Sequence, residues 1–169
     1  MGIFDFLKKN KNIENDNGFN KIYKDSGIQE FYKIDGKFNG EFKQYNNEGT
    51  LIIHIQSILE NSNGEIIQSG KEIKRFKNGS IFYEVNFKKG LRNGFGISYD
   101  EKGDVEKIDY YKNDEDVTWD NDKNKRMMLK EIKKYMNDGV NVYPVQYLGL
   151  CESLGINSTK FKDDSNLKI

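Results

Sequence analysis

The 169-residue chain is poor in the residues on which much protein chemistry depends, with one cysteine, one histidine, one proline and one tryptophan. The single cysteine, Cys151, excludes an internal disulfide and fits a reducing compartment, so we expect a cytoplasmic protein. His54 is the only histidine, and neither a cysteine nor a second histidine stands near it in sequence. Few candidates therefore remain for a nucleophile and its base.

Both residues have ordinary structural interpretations. Strand alternation places His54 on the same side as Thr50 and Gln56, as a sheet-surface histidine. Cys151 lies three residues from both Leu148 and Leu154, which is the spacing of a helical packing face, so we expect a buried, unreactive thiol. A Cys151–His54 dyad is the alternative, and nothing in the sequence favours it. We predict that the chain is not an enzyme and has no cofactor or small-molecule substrate.

Charge of one sign and long apolar runs are also absent. The chain has 27 basic and 27 acidic residues, whereas nucleic-acid binders usually carry a basic excess, so we expect no nucleic-acid partner. No apolar run approaches the roughly 20 residues of a membrane span. Residues 1–20 are expected to form a short N-terminal helix and a linker. The helix docks its apolar residues on the body or, alternatively, lies on a membrane surface: Ile3, Phe4, Phe6 and Leu7.

What the chain does have is aromatic residues and glycine, with 11 Phe, 10 Tyr and 16 Gly. From residue 21 to 112, short aromatic and β-branched runs alternate with dipeptides that tolerate positive φ angles. This spacing predicts an antiparallel sheet of hairpins with one buried and one wet face. The dipeptides expected at the turns are Asp35-Gly36, Asn39-Gly40, Asn63-Gly64, Asn78-Gly79 and Asn93-Gly94.

An internal repeat underlies this pattern. Residues 36–49 can be laid over residues 90–103 without a gap, and a weaker middle copy contains Gly70, Phe76, Asn78 and Gly79. Because one hairpin cannot bury its apolar face alone, we expect several to lie side by side. Five residues match at the offset of 54, namely Gly36/Gly90, Asn39/Asn93, Gly40/Gly94, Tyr45/Tyr99 and Gly49/Gly103.

The pattern N-G-x-x-x-x-Y-x-x-x-G followed by a β-run resembles the MORN-type repeats of YwqK-like bacterial antitoxins. The resemblance covers residues 30–112. It implies an extended antiparallel meander and an antitoxin or toxin-immunity role, with a cognate protein toxin as the partner.

After residue 112 the period changes from 2 to 3.6. Residues 122–137 form a predicted amphipathic helix. The residues on its apolar face are Met128, Leu129, Ile132, Tyr135 and Met136. Asp120, Asn121 or Asp122 can cap its start, and Gly139 follows its end. Pro144 suits the first turn of a second helix that ends near Leu154. The expected fold is therefore α+β and mainly β. Its parts are 1–20, the sheet at 21–112, an acidic connector with a helical element at 113–157, and a tail without regular structure at 158–169.

One segment comes close to a calcium loop. Asp120, Asp122, Asn124 and Glu131 fall on positions 1, 3, 5 and 12 of an EF-hand pattern. Lys125, however, replaces the glycine that makes the sharp turn, and no helix precedes the segment. We predict no metal site here.

The acidic connector is the best candidate for a binding site. Residues 113–122 contain five acids, no base and the only tryptophan. Trp119 either packs between sheet and helix or anchors a partner whose basic residues meet the acids. The chain is therefore interpreted as a non-catalytic protein-binding module, with a scaffold for protein assembly as the alternative. The predicted contact residues are Asp114, Glu115, Asp116, Trp119 and Asp120.

Overall fold

The computed structural model describes residues 12–158 and confirms the predicted fold class. Nine antiparallel strands follow one another as neighbours in a meander sheet, and two helices come after them. The predicted helix within residues 1–9 and the tail after Ser158 lie outside the described residues. The strands are β1 (Gly18–Lys24), β2 (Gly27–Ile34), β3 (Lys37–Tyr45), β4 (Leu51–Glu60), β5 (Ile66–Arg75), β6 (Ile81–Lys88), β7 (Leu91–Tyr99), β8 (Val105–Lys112) and β9 (Glu115–Asp116); the helices are α1 (Asp122–Asn137) and α2 (Pro144–Ser153).

The sheet begins before the predicted boundary at residue 21. β1 starts at Gly18, and the Asn20 side chain is fully buried. Asn20 Oδ1 accepts a hydrogen bond from the backbone N–H of Asn15 at 2.7 Å, and its amide donates to the carbonyl of Gly18 at 3.0 Å. A polar segment that looks like a linker is therefore held in place by asparagine hydrogen bonds, which apolar periodicity cannot reveal.

Two of the predicted turn dipeptides are not turns. Asp35 and Gly36 do form a two-residue hairpin turn, with φ angles of 50° and 74°. Asn39-Gly40 and Asn93-Gly94 instead lie inside β3 and β7. Gly40 has a φ of 112°, and the register between β3 and β4 shifts just after it. The prediction was wrong there because a positive φ serves a bulge as well as a turn.

The wider turns share one hydrogen-bond pattern. Asn46 Oδ1 accepts from the backbone N–H groups two and four residues later, at 3.0 and 2.8 Å. Asn61 and Asp100 do the same in the turns after β4 and β7. These side-chain oxygens bind backbone N–H groups that would otherwise pair with a neighbouring strand. They therefore stabilise the turns and determine where the strands end.

The repeat at an offset of 54 is structural as well as sequential. Tyr45 ends β3 and Tyr99 ends β7, each directly after a register shift with the next strand. The Tyr45 hydroxyl donates to Glu30 at 3.1 Å, and the Tyr99 hydroxyl donates to Glu84 at 3.1 Å. Glu30 and Glu84 are themselves 54 residues apart. Tyr45 and Tyr99 therefore occupy equivalent positions in the two copies.

The chain forms two compact units. Of the described residues, the first contains those from 12 to 79 together with Phe87–Gly90. Its best-buried aromatic ring is Phe31, 4% exposed, whose centroid lies 4.8 Å from that of Phe38 and 6.4 Å from that of Phe42. These rings come from β2 and β3, so the packing in this unit is between side chains of adjacent strands.

The second unit contains Ser80–Asn86 and residues 91–158 of the described chain, and it has a layered core. The apolar face of α1 and one face of α2 pack on strands β7 and β8. Helix α1 has the predicted bounds, and Asn121 caps it by accepting from the N–H of Asn124 at 2.9 Å. The buried members of this core are Ile97, Val105, Ile108, Met128, Leu129, Ile132, Tyr147, Leu150 and Cys151.

The two copies of the repeat differ in the polarity of one face. Lys43 lies opposite His54 in the first copy, and the equivalent Ile97 lies opposite Ile108 in the second. Ile97 and Ile108 are buried in the helical core, whereas the side chains of Lys43 and His54 are 31% and 26% exposed. The helices therefore cover the second copy where its side chains are apolar.

Among the described residues, no helix is long and apolar enough to cross a membrane.

Candidate protein-binding site

The acidic connector begins with a tight turn between β8 and β9. Asn113 and Asp114 have φ angles of 52° and 71°, so they form the same kind of two-residue turn as Asp35-Gly36. Strand β9 is only two residues long and pairs with the end of β8. The connector is thus held to the sheet up to residue 116, and the side chains that follow are placed by local hydrogen bonds.

Asp114 is turned toward the sheet. Its Oδ1 accepts from the backbone N–H of Arg92 at 2.8 Å and from Arg92 Nε at 3.1 Å. These hydrogen bonds lower the pKa of Asp114. The same guanidinium lies 4.2 Å from the centroid of the Tyr111 ring. Of the predicted contact residues, Asp114 therefore has a neutralising partner within its own unit.

Asp116 also has a local role. Its Oδ1 accepts from the backbone N–H of Thr118 at 3.0 Å and from the Thr118 hydroxyl at 2.5 Å. Thr118 is fully buried, and its hydroxyl oxygen accepts from the N–H of Tyr110 at 2.8 Å. The carboxylate thus completes a hydrogen-bonded chain that fixes the connector just before Trp119.

Glu115 and Asp120 remain exposed, and the structure brings them to the same hollow. The hollow has a volume of about 540 Å³ and lies between the β8–β9 turn and the start of α1. Lys112 and Lys123 line it as well, so its charge is mixed. No ion pair is recorded for Glu115 or Asp120 within residues 12–158.

Trp119 is 46% exposed, so it is neither fully packed nor free. A Cβ built on Gly149 of α2 would lie 3.4 Å from Trp119 Cη2. One side of the indole therefore rests on the helix at a residue without a side chain, and the other side meets solvent. The packing interpretation of Trp119 holds in part, since the ring meets α2 at Gly149 while nearly half of the side chain stays accessible. Its role as an anchor for a partner stays a prediction.

Helix α2 is apolar on two sides. The buried side chains of α2 are Tyr147, Leu150 and Cys151. Cys151 is therefore buried as predicted, but its packing face differs from the predicted one. Leu148 does not belong to that face, since it is 43% exposed. Val145, one turn before Gly149, is 81% exposed. We call the exposed surface formed by Trp119, Val145 and Leu148 the Trp119 patch.

The sequence contained a signal for this patch that periodicity could have found. Positions 147, 150, 151 and 154 form one helical stripe, and Val145 and Leu148 fall outside it. A helix that is apolar all round is normally buried on every side. The exposed apolar side chains on the second side of α2 therefore indicate a candidate contact surface.

The other candidate residues are placed as follows. His54 Nε2 lies 2.6 Å from Glu41 Oε1, and the other oxygen of Glu41 lies 2.7 Å from Lys43 Nζ. Lys43 and then His54 lower the pKa of Glu41. Cys151 is fully buried.

The EF-hand-like residues do not form a loop. Asp122, Asn124 and Glu131 lie within α1, and the Asn124 side chain donates to the carbonyl of Val117 at 2.7 Å. No group of three potential metal ligands from histidine, cysteine or acidic residues occurs in the part of the chain that the structure describes. The absence of calcium binding stays a prediction.

Comparisons with protein-family models, with curated proteins and with solved structures found no match.

Proposed function

We propose that the chain is a non-catalytic protein-binding module that acts through the Trp119 patch. Its partner is a bacterial toxin, which it neutralises by direct binding in the cytoplasm as an antitoxin or immunity protein. The observation that carries the proposal is the second apolar side of α2, where Val145 and Leu148 are exposed beside Trp119. The resemblance of residues 30–112 to MORN-type antitoxin repeats supports the choice of partner.

The physical case for the patch is apolar burial on a rigid support. Removing apolar surface from water contributes about 25 cal/mol per Å². Tryptophan is over-represented among residues whose truncation costs about 2 kcal/mol or more at interfaces. The Trp119 ring already rests on Gly149, so less side-chain freedom is lost on binding.

The nearby acids suit a basic partner. Glu115 and Asp120 supply negative charge close to Trp119, and Lys112 and Lys123 offset part of it. Exposed acids of this kind speed the approach of a cationic surface and orient it. Toxins that act on nucleic acids present basic clefts for the phosphate backbone. The charge of this surface is therefore compatible with a toxin of that class.

The test begins with capture from the native host, using the wild-type chain and Val145→Asp as matched baits. Val145 is 81% exposed, so the substitution leaves the core intact. We expect a partner that the wild type retains and the variant does not. Expressed alone in a bacterium, that partner should arrest growth, and co-expression of the wild type should restore it. Equal capture by both baits would show that the Trp119 patch is not the contact surface. A captured partner that does not arrest growth would contradict the toxin assignment.

A scaffold role is the second candidate, and exposed side chains of the first unit favour it. Tyr32, Ile34 and Leu59 are each about half exposed on strands β2 and β4, at 48%, 54% and 47%. If the Ile34→Glu variant loses partner capture and the Val145→Asp variant retains it, the result would support this second function over the first.

A further inference from the structure

A groove runs along the second half of α1. It has a volume of about 630 Å³. Its apolar lining comes from Leu129, which is 5% exposed, and from the partly buried Ile156. The acids Glu131 and Asp138 line it together with four basic side chains, namely Arg126, Lys130, Lys133 and Lys134. We call this the basic groove. With four basic and two acidic side chains it has a net positive charge, which is opposite to the charge of Glu115 and Asp120.

Most of this charge is unneutralised. Lys134 pairs with Glu131 at 3.6 Å. For Arg126, Lys130 and Lys133, no ion pair is recorded among residues 12–158. These three residues are spaced by four and then three positions, so they are neighbours along one side of the helix. Like charges in adjacent turns repel, and an anionic surface in the groove would relieve that repulsion.

The chain itself carries the surface that fits. Residues 113–122 contain five acids and no base, and two of these acids, Glu115 and Asp120, are exposed without an ion pair among residues 12–158. Residues 123–134 contain six bases and one acid. Glu115 and Asp120 are exposed beside Trp119, and the indole can meet the apolar lining of the groove. A polyanion such as a nucleic acid would match the lysines but would leave that lining without an apolar partner.

We infer that two copies of the chain associate, with the Trp119 patch and its acids on one copy seated in the basic groove of the other. The acids lie near the start of α1 and the cations along its second half. Two copies with antiparallel α1 helices therefore match opposite charges at both ends. Such a two-fold contact uses the same surfaces on both copies and closes as a dimer.

Self-association has a regulatory consequence that rests on the proposed function. The second copy covers the Trp119 patch, so it competes with the protein partner for that surface. Free chain would be stored as a dimer, and the partner would bind the monomer. The dimer itself does not depend on the identity of the partner.

The test is sedimentation velocity of the full chain alone at low and high salt. We expect a species of about twice the 19.7 kDa chain mass at low salt, with a dissociation constant of about 10–100 µM, as for a small interface. High salt should weaken it, because surface charges are screened.

Charge reversal makes the test specific. Lys130→Glu/Lys133→Glu and Glu115→Lys/Asp120→Lys should each sediment as monomers, whereas an equimolar mixture of the two variants should associate again. A matched control, Lys24→Glu/Lys88→Glu, reverses exposed lysines elsewhere and should leave the dimer unchanged. A wild-type monomer at every concentration overturns the inference. Association that persists in both charge-reversal variants also overturns it. Binding of a short single-stranded DNA in place of a second copy does the same.

Discussion

Gly96 on β7 shows how closely side chains of the second unit are packed. A Cβ at this position would lie 2.7 Å from Tyr111 Cε2 and 2.8 Å from the Tyr83 hydroxyl. Both rings occupy the space over the glycine, and the Arg92 guanidinium in turn lies over Tyr111. The residue is needed for this close approach rather than for an unusual backbone angle.

We therefore predict that Gly96→Ala destabilises the protein by about 1–3 kcal/mol, as overpacking does in well-filled sites. Urea unfolding measures the change. The matched control is Gly149→Ala in α2, where the new methyl group meets only Trp119 at 3.4 Å. That variant should be unchanged, or more stable by about 0.5–1 kcal/mol, because alanine favours a helix. Equal stability of Gly96→Ala and the wild type would show that the rings can move aside.

The equivalent tyrosines should differ in their contribution to stability. Tyr99 donates to Glu84, its ring contacts Tyr135 of α1 in an edge-on arrangement, and it packs against the helical core. Tyr45 makes the same bond to Glu30 but is not part of the helical core. Tyr99→Ala should cost about 2–4 kcal/mol in the free energy of unfolding, as for other buried aromatic truncations, and Tyr45→Ala should cost less. Similar losses in both variants would contradict this difference.

At the scale of elements, the sequence predicted some parts well and others not at all. Helix α1 was predicted with its observed bounds, because its apolar face repeats every 3.6 residues and Asn121 precedes it. Asn39-Gly40 was misplaced, because the same dipeptide fits a bulge. The support of Trp119 by Gly149 could not be predicted, since 30 residues separate them and only the packing of α2 brings them together.

Asn121 offers a test of how α1 begins. Its side chain is the acceptor for the Asn124 N–H, and Asn124 in turn donates to Val117 at the end of the connector. Asn121→Ala should therefore lower the free energy of unfolding by about 0.5–2 kcal/mol, as loss of a helix N-cap does. Asn121→Ser should retain most of the stability. Thermal melts of the two variants compare them directly, and equal loss in both would argue against capping as the cause.

For the whole molecule, ionisation of tyrosine sets an alkaline limit on stability. Burial raises the pKa of Tyr83 and Tyr99, with added contributions from Tyr111 and Tyr135 respectively. In the unfolded chain these groups ionise near a pH of about 10. Because their folded pKa values are higher, their contribution to stability is fully present below that pH and is lost as the pH rises above it.

The melting temperature should therefore fall as the pH rises above about 10, the ordinary tyrosine pKa. Tyr99→Phe removes one ionising hydroxyl, so its melting temperature should fall less steeply over this range than that of the wild type. Absorbance at the phenolate wavelength reports ionisation in the same samples. Parallel curves for the two proteins would contradict a role for Tyr99 in the alkaline transition.

The central claim is that the Trp119 patch is the contact surface for a protein partner. The most direct test is calorimetric titration of the captured partner with the wild type, Trp119→Ala and Val145→Asp, after thermal melts have shown that each variant folds. Lys24→Glu, at an exposed site on β1, is the control. Each patch variant should lose at least about 30-fold in affinity, equivalent to about 2 kcal/mol, and the control should lose none. Folded patch variants that bind as tightly as the wild type would contradict it.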